Sequence, residues 1–435
     1  MFKIKVLVIS AVPWNTSNNF GNSYSNIFSD IKDIEISNVY LSNGFVNDPC
    51  VLNAFEINED MLFRNLLNKK YVVGRETAVK KDSENNKGEK SLIQKIKTFS
   101  LNHRFSLVYM CRDFLWSVGK WNSESLHHFI ETIKPDVIFA PINGSTYPNN
   151  IIVEISNLYN LPIIGYISDD NYTYKQFSLS PLYWIRRFFI RKSVGNLIKK
   201  CKILYVISKK QKMVYDRIFN ISSKILTKGF CDRRDDSIKQ NDKSHIKIVY
   251  TGNLGLNRWK SIAKIAREID LANFDKEIFV FSIYSQTSLT WKMKNGIKGK
   301  GVYFKGPVEA SQIHDIQKKA DILLHVEATD FIHKWDALYG FSTKIIDYFS
   351  EGKTIFAYGN ADQASISYLK ENDAALIATN EKEIRRILKK ITTNSNILKE
   401  YSEKSYECGK KYHDANLFKR MIMQDLSEII RERLG

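Results

Sequence analysis

Short apolar runs alternate with amphipathic segments along nearly the whole chain. Runs of this kind, bounded by turn residues and separated by helical patterns, are typical of parallel strands that are covered by helices on both faces. The pattern predicts two doubly wound, Rossmann-like α/β domains, with ligands in a cleft beyond the carboxyl ends of the strands. The runs are IKVLVIS, IEISNVYL, PDVIFAPI, LPIIGYIS, KILYVIS and KILTKG, then IKIVYTG, EIFVFSIY, GVYFKG, DILLHVE, TIFAYG and AALIAT.

A polar, charged segment over residues 229–245 separates the two sets of runs and reads as a linker. We therefore expect an N-terminal domain over residues 1–240 and a second domain over 241–411. A terminal helix over 412–435 would be able to pack back on the first domain. A further charged stretch, 69–90, predicts an exposed and mobile excursion of the first domain.

The segment LYGFSTKIIDYFSEGKTIFAYG, residues 338–359, predicts a short apolar helix followed by a buried strand. Ser342 or Thr343 can cap this helix. A helix start favours an anion, and Lys344 adds a full positive charge there. Asp347, one turn further on, can accept both hydroxyls of a ribose while the helix start holds phosphates. The alternative is an ordinary capped helix with a solvated lysine, and the local sequence leaves both open.

A second anion-holding turn is predicted in YTGNLGLNRWKSI, which begins at Tyr250. Gly252 and Gly255 allow the backbone to approach a ligand closely, and Asn253 lies in the same turn. Arg258 and Lys260 follow at a helix start, where they can neutralise a diphosphate. Two such helix starts in one parallel-sheet domain favour a phosphate site more strongly than either does alone.

These residues carry a resemblance to the donor domain of GT-B glycosyltransferases, close to glycosyltransferase family 4 and the group 1 transferases of bacterial polysaccharide loci. The resemblance rests on TGNLGLNRWKS, FKGPV, ADILLHVEA and FSTKIIDYFSEGKTIFAYG. It covers most of 246–379 and the first domain only in outline. It implies that Arg258 and Lys260 hold a nucleotide diphosphate, that the loop carrying Val308 touches the base, and that Asp347 binds the ribose.

The sequence departs from the family pattern at two positions. The family carries a glutamate eight residues before the ribose-binding acid, and here that position is Tyr339 (347 − 8 = 339). The ribose-binding acid is itself Asp rather than Glu. Relatives with an S-T-K sequence use the acid after the preceding strand, which makes Glu327 a candidate on the sugar side. The alternative for Glu327 is a strand-end residue in a polar network.

The first domain is expected to supply the acceptor side. Its first loop, SAVPWNTSNNFGNSYSNIF, contains Gly21 and resembles the family's glycine-containing loop, which lies against donor phosphates and acceptor. The segment YISDDNY places Asp169 and Asp170 at the carboxyl end of a strand, where many relatives carry a histidine. Either carboxylate can orient or deprotonate an acceptor hydroxyl. A capping role is the alternative.

The net charge of +18 calls for an anionic partner, or reflects solvated lysines alone. Residues 181–212 hold ten Lys or Arg and no acid, with aromatic residues interleaved. This stretch predicts either a helix on an anionic membrane surface or a buried amphipathic helix with a basic edge. A nucleic-acid partner is not expected, because no helix-turn-helix, zinc-finger or RNA-binding motif is apparent.

Cysteine usage and the N-terminus indicate the compartment. Five scattered cysteines predict neither a disulfide framework nor a metal cluster, as in a cytoplasmic protein. The apolar run near the N-terminus is too short for a signal core or a membrane span. We expect a cytoplasmic protein, peripheral at the inner face of the cytoplasmic membrane if the basic stretch meets lipid.

The resemblance implies a retaining, metal-independent glycosyltransferase of surface polysaccharide synthesis, such as capsule or O-antigen synthesis. The donor would be a nucleotide-sugar, with a UDP-sugar favoured, and the acceptor a glycan or lipid-linked oligosaccharide. No cofactor is expected besides the donor substrate. The alternatives are a GT-B-fold nucleotide-sugar epimerase, a noncatalytic scaffold and a basic nucleic-acid-binding protein.

Overall fold

The computed structural model describes residues 3–16, 18–79, 106–234, 245–394 and 396–434. The chain forms two compact units. The first comprises Met1–Tyr174, Ser178–Leu226 and Phe418–Gly435, and the second comprises Lys175–Phe177 and Thr227–Leu417.

The first unit contains an eight-stranded sheet. Its strands are β1 (Ile4–Ser10), β2 (Ile34–Tyr40), β3 (Val51–Glu56), β4 (Arg75–Thr77), β5 (Val137–Pro141), β6 (Ile163–Ile167), β7 (Cys201–Val206) and β8 (Lys224–Ile225). They lie in the order β4-β3-β2-β1-β5-β6-β7-β8, and all pairs are parallel except β3–β4.

Helices cover both faces of this sheet. Leu62, Trp116 and Ile190 contribute to the core under one face, and Phe28 and Leu426 contribute to the core under the other. The helices are α1 (Asn19–Phe28), α2 (Glu59–Leu67), α3 (Ser106–Val118), α4 (Glu124–Ile133), α5 (Thr146–Tyr159), α6 (Pro181–Lys200), α7 (Lys209–Phe219) and, far along the chain, α15 (Ala415–Leu434).

The second unit contains a six-stranded, fully parallel sheet in the order β11-β10-β9-β12-β13-β14. The strands are β9 (Ile246–Thr251), β10 (Phe279–Tyr284), β11 (Val302–Gly306), β12 (Ile322–Val326), β13 (Thr354–Tyr358) and β14 (Leu376–Ala378). The helices are α8 (Arg258–Ala272), α9 (Trp291–Gly296), α10 (Ala310–Lys318), α11 (Lys344–Ser350), α12 (Ala364–Glu371), α13 (Glu381–Thr393) and α14 (Ile397–Tyr412), with a 3₁₀ turn at His333–Trp335.

The predicted doubly wound α/β architecture is confirmed, because every apolar run singled out in the sequence contains a strand. Two further strands, β3 and β4, were not predicted. In β3, Leu52 and Asn53 are both exposed, which breaks the apolar run that marks a buried strand.

The predicted excursion over 69–90 was wrong for its first part. Residues 75–77 form the edge strand β4, where Arg75 lies 2.8 Å from Glu56 of β3 in an ion pair. An edge strand tolerates charged side chains, so its composition is that of a loop. The remainder of the stretch, 80–90, lies outside the described residues.

The predicted linker over 229–245 is described only up to residue 234 and from residue 245. Residues 229–234 belong to the second unit, and Phe230 forms a parallel β-bridge with Asp414. The predicted boundary between residues 240 and 241 lies outside the described residues. Among the described residues, no helix combines the length and the hydropathy that are needed to cross a membrane.

Candidate functional site

The candidate site lies in the second unit, at the carboxyl ends of β9 and β12. These strands are neighbours at the centre of the sheet. Thr251 ends β9, and Glu327 directly follows β12. The carboxyl edge of such a sheet is where ligands bind in doubly wound folds. The parallel register thus brings the glycine turn after β9 close to the acid after β12.

The turn after β9 has an uncommon backbone. Leu256 and Asn257 both adopt left-handed conformations, with φ of 54° and 59°. This conformation is uncommon for leucine and costs energy, and strain of this kind often marks functional loops. The next three amides, of Arg258, Trp259 and Lys260, donate to carbonyl groups of the turn itself. The start of α8 therefore presents side chains rather than bare amides.

Arg258, the first residue of α8, is held by a buried carboxylate. Its Nε and Nη2 donate to Glu327 Oε2 at 3.2 and 3.0 Å. The Ser261 hydroxyl also donates to the backbone oxygen of Glu327, at 2.8 Å. Among the described residues no acceptor is bonded to the third guanidinium nitrogen, Nη1. Arg258 is thus oriented with one donor group to spare.

Glu327 is ionised in this arrangement. Burial opposes its charge, but the neighbouring His325 and the guanidinium of Arg258 outweigh burial and lower the pKa of Glu327 to about 2. His325 Nε2 lies 3.4 Å from Glu327 Oε1, without hydrogen-bond geometry. At neutral pH Glu327 is a fixed counterion and has no proton to give.

Lys344 comes from the start of α11 and reaches the glycine turn. Its Nζ donates to the Thr251 carbonyl at 3.0 Å. A Cβ atom added at Gly252 would lie 2.7 Å from the hydroxyl of the buried Tyr250 and 2.8 Å from this Nζ, so at least one of the two side chains would have to move. Although Lys344 is exposed as a residue, burial around its ammonium and the charge of Arg258 lower its pKa to about 8.

The start of α11 is less fully hydrogen-bonded than that of α8. Thr343 occupies the N-cap position, but no side chain caps the helix there. The hydroxyls of Ser342 and Thr343 form no hydrogen bond with any described residue, and neither do the amides of Thr343 and Lys344. Gly352, two residues after the helix ends, adopts the left-handed conformation with φ of 58°. This helix start can therefore donate to an anion.

Asp347, the predicted ribose acid, lies one turn into α11 and is already paired. Lys228 donates to its Oδ1 at 2.6 Å, and Arg233 Nη1 lies 3.9 Å from the same atom. Lys228 is itself buried. One carboxylate oxygen is therefore committed to Lys228, and a ribose would have to share Asp347 with it.

The remaining donor-side predictions lie further from this centre. Lys260 is exposed over the ring of Trp259, and since it follows Arg258 by two positions it projects from another side of α8. Asn253 is exposed and accepts a hydrogen bond from Thr287 at 3.2 Å. Val308 follows β11, and its carbonyl accepts from Gln286 at 3.1 Å.

The acceptor-side predictions lie in the first unit. Gly21 is in α1, where an added Cβ would lie 2.0 Å from the Asn15 carbonyl oxygen, so tight packing alone requires glycine. Asp170 is buried and accepts from the amide of Thr173 at 2.8 Å and from the Tyr215 hydroxyl at 3.1 Å. Asp169 is exposed directly after β6. Asp170 therefore has the capping role given as its alternative, and Asp169 remains the accessible carboxylate.

The basic stretch over 181–212 was predicted to turn its basic side chains outward, toward lipid or solvent. Its three arginines instead bind loops of their own unit. In α6, Arg187 is buried and donates to the carbonyl groups of Asp170 and Thr173. Arg186 donates to Gly144 O at 2.8 Å, and Arg191 donates to Tyr172 O at 2.7 Å. The arginines bind neighbouring loops because guanidinium groups match the carbonyl groups of loop backbone.

Sequence reasoning missed two members of the site, His325 and Lys228. His325 stands two positions before Glu327 at the end of a strand, and residues two apart share one face of a sheet. That spacing was the available signal. Lys228 carried no such signal, since only the tertiary fold brings it to Asp347. Among the described residues, no three His, Cys, Asp or Glu side chains are grouped to hold a metal ion.

No protein-family model matches the chain. A curated relative, the uncharacterized glycosyltransferase MJ1069 of Methanocaldococcus jannaschii, is 27% identical over 231 residues, which are 50% of this chain and 56% of that protein. The chain thus matches little more than half the length of this relative.

Solved structures match over nearly the whole length. HepE of Anabaena, solved in complex with UDP and with UDP-glucose, covers 98% of this chain and all of its own, with a TM-score of 0.60 and 11% identity for the UDP complex. Sucrose-phosphate synthase of Thermosynechococcus elongatus covers 99% of this chain and all of its own, with a TM-score of 0.61 and 11% identity. At this identity the likeness concerns the fold, and it confirms that the chain has the GT-B fold.

Proposed function

We propose that this chain is a glycosyltransferase that moves a sugar from a nucleoside diphosphate, with UDP favoured, to a glycan or lipid-linked oligosaccharide. One observation carries the proposal: Arg258 and Lys344 lie together at the carboxyl edge of the second sheet, beside an uncapped helix start. Two cations and free amide and hydroxyl donors fit the phosphates of a diphosphate. The fold shared with HepE and the curated glycosyltransferase relative support the same activity.

The proposed step breaks the bond between the anomeric carbon and the β-phosphate oxygen and forms a bond from the acceptor oxygen to that carbon. The diphosphate leaves with the electron pair, and the acceptor hydroxyl loses its proton to the departing phosphate or to a nearby base. Arg258 and Lys344 would stabilise the charge that grows on the leaving group.

In this proposal Glu327 is a positioning residue for Arg258. Its carboxylate fixes the guanidinium, so that Nη1 can meet a phosphate without first being ordered.

We extend the proposal to retention of anomeric configuration, to independence from metal ions, and to surface polysaccharide synthesis at the inner face of the cytoplasmic membrane. Anomeric NMR of the product and activity in EDTA test the first two.

Calorimetry with UDP tests the site. We expect Lys344→Ala to weaken UDP binding at least about tenfold, because a charged hydrogen bond to phosphate is lost. Gly252→Ala should also weaken UDP binding, because its Cβ would crowd both the Tyr250 hydroxyl and the Lys344 ammonium.

Lys260→Ala serves as the matched control, because it removes an equal charge at an exposed position. This variant should bind UDP nearly as the unmodified protein does. Unchanged affinity in Lys344→Ala and Gly252→Ala would remove the site assignment.

An epimerase with the same fold is the second candidate, because Tyr339 stands where the family carries a glutamate. Product analysis with and without an acceptor separates the two activities. Sugar isomerised without an acceptor would favour the epimerase.

A further inference from the structure

Three neighbouring helices of the first unit expose apolar side chains on their outer sides. Helices α2, α3 and α6 cover the same face of the first sheet, and α3 packs against both of the others. We call their combined outer surface the three-helix face. Phe114 of α3 is 67% exposed and Phe188 of α6 is 58% exposed. The exposed large apolar residues of this face are Phe63, Leu67, Leu107, Phe114, Val118, Leu182, Ile185, Phe188 and Phe189.

The spacing of these residues is helical. On α3, residues 107, 111, 114 and 118 are Leu, Cys, Phe and Val, all exposed and spaced four, three and four apart. They form one stripe along the helix. Trp116 fills the opposite, buried side of α3, as Ile190 does for α6. The helices are thus apolar on two sides, whereas a helix that only covers a core needs one.

The exposed charges on these three helices have one sign. None of the acidic residues on α2, α3 and α6 is exposed: Glu59 is buried, Asp60 accepts from Asn43 at 3.1 Å, and Asp113 lies 3.9 Å from Arg186. Exposed basic side chains lie on these helices or within three residues of their ends, and we call them the basic rim of the face: Arg64, Lys69, Lys70, Lys120, Lys192, Lys199 and Lys200.

We propose that the three-helix face docks onto an anionic membrane surface. The apolar side chains would enter the boundary between headgroups and acyl chains, and the basic rim would contact the lipid phosphates. A contiguous exposed apolar patch marks an interaction surface, and the positive rim complements anionic lipid. A second copy of the chain fits less well, because two copies meeting by this face would bring like-charged rims together.

The contact differs from the one predicted from the sequence. Arg186, Arg187 and Arg191 bind loops of their own unit, so reversing their charges would disturb the fold rather than test lipid binding. The lipid-facing residues belong to the other side of α6, and to α2 and α3, which carried no membrane signal in the sequence. The proposal does not depend on the activity of the second unit.

Flotation of the full chain with vesicles tests the proposal. The vesicles are phosphatidylcholine alone, or phosphatidylcholine mixed with phosphatidylglycerol, at about 0.15 M salt. We expect the unmodified protein to float with the mixed vesicles and much less with phosphatidylcholine alone. The triple variant Phe114→Ser, Phe188→Ser, Phe189→Ser should partition at least about tenfold less, because it loses three apolar groups that enter the boundary.

The control carries Leu271→Ser, Phe274→Ser and Trp291→Ser, which replace three exposed apolar residues of the second unit. It should float like the unmodified protein. The double variant Lys192→Glu, Lys199→Glu should float less with the mixed vesicles, and its flotation with phosphatidylcholine vesicles should not change. Circular dichroism and UDP calorimetry confirm that each variant is folded, and UDP binding by the triple variant separates this proposal from the proposed function.

Three outcomes would overturn the proposal. The first is an unmodified protein that stays unbound with the mixed vesicles. The second is a triple variant that floats as well as the control. The third is a dimer in light scattering that the triple variant disperses, without vesicle binding, since the face would then pair two copies of the chain.

Discussion

At the residue scale, the candidate site is defined by an imbalance of charge. Glu327 neutralises Arg258 through two hydrogen bonds, and Asp347 is paired with Lys228. Lys344 has a backbone carbonyl as its hydrogen-bond partner. Its ammonium lies near Arg258, and the repulsion is part of what lowers the pKa of Lys344. A bound diphosphate would relieve this repulsion, which is why the arrangement favours an anion.

The pKa of Lys344 predicts a pH dependence of UDP binding. The folded value of about 8 lies below the ordinary 10.5, so the empty site loses the lysine proton as pH rises through about 8. We expect UDP affinity to fall between about pH 7 and about pH 9, approaching tenfold per unit above pH 8. Calorimetry in buffers of different ionisation enthalpy should detect proton uptake on binding.

Lys344→Arg is the control for this pH dependence, because a guanidinium keeps its charge throughout the range. The variant should bind UDP with little dependence on pH. A fall in affinity of the same size in Lys344→Arg would assign the titration to another group.

The lowered pKa of Lys344 gives the stability of the fold the opposite dependence on pH. A protonated Lys344 disfavours the folded state below pH 8, and this cost is relieved between pH 8 and 10.5.

At the element scale, two helix starts that look alike in sequence differ in what they offer. The amides at the start of α8 are used by a turn with two left-handed residues, so Arg258 acts through its side chain. At the start of α11, the amides of Thr343 and Lys344 have no partner among the described residues, whereas the next two amides donate to carbonyl groups of the preceding turn. The difference arises from the two turns. The turn before α8 supplies an acceptor for the first amide of its helix, and the turn before α11 supplies none among the described residues.

His413 joins two segments of the second unit. It lies between the Thr227 hydroxyl, at 2.9 Å from Nδ1, and the Tyr368 hydroxyl, at 2.8 Å from Nε2. Next to it, the Phe230 amide donates to the His413 carbonyl at 2.6 Å. Burial lowers the pKa of His413 to about 4. The residue is thus a neutral hydrogen-bonding link at pH 7.

This burial predicts that acid weakens the second unit. The folded pKa of about 4 lies below the ordinary 6.5, so the unfolded chain takes up a proton first as pH falls. Stability present above pH 6.5 is lost progressively toward pH 4, by about 2 kcal/mol at pH 5. Urea unfolding at pH 7 and pH 5 measures this loss. The loss of stability between pH 7 and pH 5 should be smaller in His413→Gln than in the unmodified protein. In His128→Gln, which replaces an exposed histidine, the loss should be as large as in the unmodified protein. Equal losses in all three proteins would contradict the assignment.

At the scale of the whole molecule, the chain leaves the first unit after Leu226 and returns to it at Phe418. Helix α15 completes the first unit, because Ile422, Leu426 and Ile429 pack into the core under its sheet. Asp425 is buried and accepts from Tyr205 and Lys224 of the same unit. Residues at the end of the sequence therefore stabilise a sheet that begins at its start.

This topology predicts that Leu426→Ala destabilises the first unit by about 2–5 kcal/mol, since a fully buried leucine is removed from a core. Leu417→Ala, at an exposed position of the same helix, should change stability by less than about 0.5 kcal/mol. Denaturant unfolding combined with limited proteolysis measures both effects. Equal effects would mean that α15 adds little to this core.

The sequence predicted the fold more completely than the site. Apolar runs locate buried strands because each strand must be apolar on both faces, and this property is local. Arg258, Lys344 and Glu327 were found because each ends or begins an element at the carboxyl edge of a sheet. The inward arginines of α6 were not predicted, because their partners are loop carbonyls that a sequence does not mark.

The sequence by itself determined which segments form strands and helices and which of their ends carry charge. Only the tertiary structure decided the pairings: Glu327 with Arg258, Lys228 with Asp347, and the α6 arginines with loops rather than with solvent. Periodicity and capping act between residues a few positions apart. A charge, in contrast, interacts with whatever the fold places within a few ångströms, and its partners here lie tens to more than a hundred positions away along the chain.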